Sequence, residues 1–147
     1  MTARCFFKLL MTLVALSLAP GCSSGPRTLT PPKTVPVHGS VMRKGKPLSG
    51  ARVKFHPQLD IGPVKFIPSG DTGPDGKFLL NTGAVGNGAP KGDYIVTVEL
   101  PVIEPDPQFG YETEVDQLKG AYGDPAKSEW KVTLVDGENV LEPFQLK

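Results

Sequence analysis

Apolar side chains recur at every second position through most of this chain, and no other feature constrains its fold as tightly. Ala51, Val53 and Phe55 alternate with Arg52, Lys54 and His56. Tyr94, Val96, Val98 and Leu100 alternate with Ile95, Thr97 and Glu99; Trp130, Val132 and Leu134 alternate with Lys131, Thr133 and Val135. Val37, Gly39 and Val41 share one side, opposite His38 and Ser40. Val140, Phe144 and Leu146 form a last stripe, broken by Glu142. Successive side chains of a strand point to opposite faces, so this period predicts strands with one face in a core.

Two further strands are expected. Val64-Lys65-Phe66-Ile67 is short and lies between Pro63 and Pro68, which suits a sheet edge because proline cannot donate to a ladder. Lys77 to Asn81 is nearly all apolar and reads as a central strand. Beyond the N-terminal segment, the sole helical expectation is a turn or two over Glu112 to Lys119. The 17 Gly and 16 Pro fall between the apolar runs, where they read as turns rather than disorder. In Gly73-Pro74-Asp75-Gly76, proline's fixed φ suits the first turning position and Gly76 can adopt the left-handed conformation. Asp136-Gly137 reads as the turn of a final hairpin. About seven strands with such punctuation predict an all-β sandwich. A sandwich of roughly 110 residues buries enough surface to fold without cross-links.

The first twenty-one residues follow a different rule. Arg4 and Lys8 precede an apolar run, Leu9 to Ala19, interrupted only by Thr12 and Ser17. At about eleven residues the run is short for a bilayer span and has the length of a signal-peptide core. It ends in Leu18-Ala19-Pro20-Gly21-Cys22, which resembles a lipobox, the bacterial site where a cysteine thiol receives lipid and the chain is cut just before it. Ala19 and Pro20 depart from the usual pattern. Residues 1–21 are thus expected to be a lipoprotein signal peptide and Cys22 the lipidation site, with acyl chains that hold the protein on a membrane. Residues 22–36 contain four prolines and few large apolar side chains, and read as a flexible tether to a β-sandwich domain over 37–147. Such a chain would sit in the cell envelope, outside the cytoplasm. With Cys5 removed and Cys22 acylated, no disulfide is available.

Three stretches carry a family resemblance. They are Gly39-Ser40-Val41 with Gly45 to Phe55, then Thr72 to Phe78, then Gly92 to Val98. In this order they resemble the carboxypeptidase regulatory-like domain. That resemblance implies a transthyretin-like, seven-strand Greek-key β-sandwich over about residues 36–147. It also implies a folding, adhesion or regulatory module: the peptidase activity of the namesake enzymes belongs to a separate domain, for which this chain has no room. The motif residues are structural. Small Ala51 permits close sheet packing, and the Tyr94 hydroxyl is expected to find a partner near the rim. Tyr122 to Ser128 resembles a segment of similar lipoproteins in which the tyrosine pins a loop onto the sandwich.

Chemistry is sparse. His38 and His56 are expected outward on strands, and a zinc site needs three or four clustered ligands. Asp71 to Gly76 lacks the later ligands of a calcium loop and reads as a turn. No nucleophile–base pair can be placed, so an enzyme is not expected, nor is a cofactor or a metal. Once Arg4 and Lys8 leave with the signal segment, fourteen Lys and Arg face fifteen Asp and Glu, which excludes the basic field that nucleic acid requires. Trp130 could offer a sugar platform, but its alternation with Val132 and Leu134 favours the core. The long connection from Pro101 to Glu129 is the candidate interaction loop, with Phe109, Tyr111 and Tyr122 as its aromatic residues. The expected function is a non-enzymatic, membrane-anchored structural or protein-interaction module. Its edge strands, such as that around Val64, could accept a partner strand. A carbohydrate- or small-ligand-binding role for the 101–129 loop is the alternative.

Overall fold

A computed structural model describes residues 33–58, 66–83 and 87–147. The expected signal segment, Cys22 and most of the tether lie outside them. Among the described residues the strands are β1 (Thr34–Val35), β2 (Val37–Arg43), β3 (Lys46–Pro47), β4 (Arg52–Pro57), β5 (Ser69–Asp71), β6 (Lys77–Leu79) and β7 (Ala89–Pro90). Then come β8 (Gly92–Glu99), β9 (Pro101–Pro105), β10 (Glu112–Asp116), β11 (Lys131–Leu134), β12 (Asn139–Val140) and β13 (Phe144–Leu146). There is no α-helix among them.

Two main sheets face one another. One has the antiparallel order β11-β8-β4-β5. The other is built on β2, with β12 and β13 parallel along one edge and β6 and β3 antiparallel along the other. Their inward side chains share a single core: Val37, Val41, Phe78, Phe144 and Leu146 from one sheet, Val53, Phe55, Tyr94, Val96, Val98 and Leu134 from the other. Phe55 is its centre, with ring centroids 5.9 Å from Tyr94, 6.4 Å from Phe78 and 6.5 Å from Phe144. Burial of side chains this large contributes about 1.5–3 kcal/mol each. The Tyr94 hydroxyl donates to the Pro90 carbonyl at 2.7 Å, the expected partner near the rim, and burial pushes its pKa up to about 12. Gly39 lacks a side chain for a packing reason: a Cβ there would lie 2.5 Å from the Phe78 ring.

Much of the alternation reads through. Val37 and Val41, the stripe Ala51, Val53, Phe55, and the residues Tyr94, Val96, Val98 are all buried. The Gly73 to Gly76 turn closes through Gly76 N–H to the Gly73 carbonyl at 2.9 Å, with Gly76 at φ +72°. Its arms stay linked, by Gly73 N–H to the Lys77 carbonyl at 2.8 Å and by the Ser69–Asn81 bridge, yet β5 ladders with β4 and β6 with β2, so this turn carries the chain between sheets.

Several expectations are corrected. Lys77 to Asn81 is central only in part: β6 has β2 as its one laddered partner, while just beyond it Asn81 bridges Ser69 and Asn87. Val64 and Lys65 lie outside the described residues, Phe66 and Ile67 are not in a strand, and the edge beside β4 is held by β5 instead. Asp136-Gly137 is not a hairpin turn. It bridges β11 in one sheet and β12 in the other, where β12 runs parallel to β2. Val140 is 76% exposed, and the inward place belongs to Asn139. Thr97 belongs to the outward-pointing set yet is fully buried, its hydroxyl 2.8 Å from His56 Nε2. Glu112 to Lys119 is not helical: it opens with β10, paired with β9.

Candidate functional site

The 101–129 connection divides into two parts. Its first part continues β8 beyond the end of the sandwich as the antiparallel hairpin β9–β10, in register from Pro101 opposite Asp116 to Pro105 opposite Glu112. Neither strand pairs with any third strand among the described residues. Asp106 builds the tip: one carboxylate oxygen accepts from the amides of Gln108 and Phe109, both at 2.8 Å. Gly110 N–H returns to the Asp106 carbonyl at 2.8 Å with φ +73°, a conformation glycine adopts without cost.

Asp116 secures the base. Its carboxylate accepts from the amides of Leu100 (2.8 Å), Leu118 (2.9 Å) and Gly120 (2.8 Å). Burial alone would push its pKa up, but the three amide donors and the charge of Lys54 outweigh that and hold it below the usual carboxylate range. Arg52 of β4 adds a tie, reaching Glu114 at 2.8 Å and Asp71 at 3.3 Å. The hairpin is therefore held at its root and projects its tip.

At that tip Phe109 and Tyr111 stack almost parallel, with centroids 5.7 Å apart and planes 9° apart. They are 64% and 58% exposed; Ile103 (61%) and Val115 (39%) are also exposed, on opposite faces of the hairpin. Tyr122 is not part of this pair. It lies in the second half of the connection, which runs along the edge of β8: the Tyr122 and Trp130 carbonyls accept from the amides of Val98 and Val96. The Tyr122 ring stacks on Trp130 at 5.6 Å, and its hydroxyl accepts from the Lys147 amide at 3.0 Å. This is the pinning role expected of it.

Trp130 is partly buried and packs against the core, with Tyr122 flat on its indole and Phe144 at 5.4 Å. Tyr122 already occupies one face of the indole. The depression beside it, bordered by Tyr122, Asp124, Lys127, Glu129 and Gln145, holds about 190 Å³. That is below the roughly 300–1,000 Å³ of ordinary ligand pockets.

The histidines sit apart, His38 on β2 and His56 on β4 of the other sheet. His38 Nε2 is 3.3 Å from Glu138. Burial first, and then the charge of Lys54, push the His56 pKa down against the opposing pull of Glu99. No three His, Cys, Asp or Glu among the described residues cluster closely enough to hold a metal ion. Asp75 accepts from the Lys77 amide at 3.1 Å, so it serves the turn.

The hairpin itself is what the sequence reading missed. Its signal was present, since Glu112-Thr113-Glu114-Val115-Asp116 alternates with period two.

No family model and no curated protein matches this chain. Three solved bacterial structures resemble it. A protein of the DUF3823 family from Parabacteroides merdae is 15% identical, with a TM-score of 0.41, over 79% of this chain and 47% of that one. This chain thus spans about half the length of that relative. A protein from Pseudomonas aeruginosa whose description proposes carbohydrate binding is 11% identical, with a TM-score of 0.43, over 79% of this chain and 90% of the other. A 9R-lipoxygenase from Cyanothece is 12% identical, with a TM-score of 0.43, over 77% of this chain and only 16% of the enzyme. At such scores none of the three says what this chain binds or does.

Proposed function

We propose that this chain is a non-enzymatic, lipid-anchored envelope module of the carboxypeptidase regulatory-like type, whose β9–β10 hairpin contacts a protein partner. The observation that carries this reading is the exposed, mutually stacked pair Phe109 and Tyr111 on a hairpin fixed at its base by Asp116 and Arg52. Stacked aromatics held in advance lose little freedom on binding, and such residues dominate the energetics of interfaces. Cys22, behind its apolar run, would hold the module at a membrane, and the proline-rich stretch after it would set the reach.

Site-specific photo-crosslinking from position 108 in intact cells tests the contact. The expected result is a discrete set of cross-linked species that disappears when Phe109 and Tyr111 are both changed to Ser. Unchanged cross-links in that double variant would refute the hairpin as the contact. The anchor is tested separately: Cys22→Ser should release the protein from membranes. A carbohydrate reading draws on the same pair, because each ring keeps one outward face on which a sugar could stack. Glycan binding lost in the double variant, with no protein cross-links, would favour it.

A further inference from the structure

The hairpin's two free edges are not equivalent. Asp106 N–H donates to the Tyr111 carbonyl at 2.7 Å, which makes 106 and 111 a hydrogen-bonded pair. Antiparallel pairs alternate between bonded and non-bonded. The register then makes Glu104–Thr113 and Val102–Val115 bonded pairs as well. Residues 101, 103 and 105 of β9 and 112, 114 and 116 of β10 turn their backbone groups outward. On β9 two of these are Pro101 and Pro105, which have no N–H, so that edge is blunted. On β10 they include Glu112 and Glu114, whose N–H and C=O groups find no backbone partner among the described residues.

We propose that the outer edge of β10 takes up an extended, Lys- or Arg-bearing strand of a partner protein. This inference rests on the protein-contact reading above and specifies the chemistry of the partner. The charge argument comes from the hairpin itself. From Pro101 to Asp116 there are five acidic residues and no Lys or Arg. Asp106 is used by the tip, Asp116 by the base and Glu114 by Arg52. Glu104 and Glu112 have no ion-pair partner among the described residues. A cation on an added strand beside Glu112 would lie at cross-strand distance, where opposite charges attract. A second copy of this chain is the wrong occupant, because antiparallel β10–β10 pairing would set Glu112 and Glu114 against the same acids. Tyr111 and Phe109, at the end of the same edge, offer faces on which a guanidinium or ammonium could rest.

The test uses the full chain, isotope-labelled and held in non-ionic detergent. It is titrated with a synthetic six-residue peptide of alternating lysine and valine and observed by NMR. Saturable shifts and slowed amide exchange are expected at Glu112 and Glu114. The glutamate–valine counterpart and a lysine–valine peptide with alternate amides methylated should give none. Glu112→Gln should weaken binding about two- to fivefold. Glu112→Pro, which removes an outward N–H without touching a hairpin bond, should abolish it while the Asp106 and Tyr111 signals persist. No saturable shift at Glu112 and Glu114 up to millimolar peptide would overturn the proposal. So would equal binding of the methylated peptide, or self-association through β10. If the edge fails while cellular cross-links still depend on Phe109 and Tyr111, this inference falls and the wider reading stands. Edge binding without those cross-links gives the reverse.

Discussion

Asn139→Ala should destabilise the fold by about 2 kcal/mol. Asn139 is only 7% exposed and holds the crossover from β11 to β12 with its side chain. Its Oδ1 accepts from the Val135 amide at 3.0 Å, and its Nδ2 donates to the carbonyls of Val135 at 3.0 Å and Gly137 at 3.1 Å. Each such bond contributes about 1 kcal/mol net. Val135 and Gly137 are both exposed, so water can replace part of all three bonds, which brings the net loss down to about 2 kcal/mol. Alanine cannot satisfy the groups left behind. Asn139→Asp should cost at least as much, because a carboxylate keeps the acceptor and loses the donor. Urea denaturation followed by Trp130 fluorescence, the single tryptophan, measures this. With m near 2 kcal/mol/M the midpoint should fall by about 1 M. The matched control is Val140→Thr, which should stay within about 0.5 kcal/mol at a site 76% exposed. A silent Asn139→Ala, or a Val140→Thr that costs more, would refute the inversion of this stripe.

Other predictions concern turns, pH and the indole. Gly76→Ala should cost clearly more than Gly45→Ala: both have positive φ, but a Cβ at 76 would lie 2.7 Å from the Val41 carbonyl oxygen, while Gly45 faces open space. Comparative denaturation should put the second near 1–2 kcal/mol, the strain of left-handed backbone alone. The lowered Asp116 pKa means that its contribution is complete above the ordinary aspartate range and is lost as pH falls through the folded value. The stability gap between wild type and Asp116→Asn should therefore close below about pH 4 in acid titrations. The His56 pKa is also lowered, so stability should decline as pH falls below about 6.5, and His56→Gln should flatten that decline. Glycans should leave Trp130 fluorescence unchanged, because Tyr122 and Phe144 already pack on the indole. A saturable quench would reopen the sugar reading at that residue.

Alternation of side chains is a local property, and it sufficed for the class of fold. The stripes Ala51, Val53, Phe55 and Tyr94, Val96, Val98 could bury one face only as strands, and their inward residues are the core observed. The Gly73 to Gly76 turn was equally legible, because φ preferences act within four residues. Three aromatic residues in one connection marked the candidate site. Which neighbour each strand would take was decided by tertiary packing. Asp136-Gly137 has the chemistry of a hairpin, yet the chain crosses to the other sheet there, because Asn139 can satisfy the turn from the inside. That exchange turned Val140 outward. Thr97 was buried through its bond to His56, a partner 41 residues away in sequence. Phe109, Tyr111 and Tyr122 were sorted in the same way: two stack at a projecting tip, while the third is drawn onto Trp130, and only contacts between distant segments could make that division.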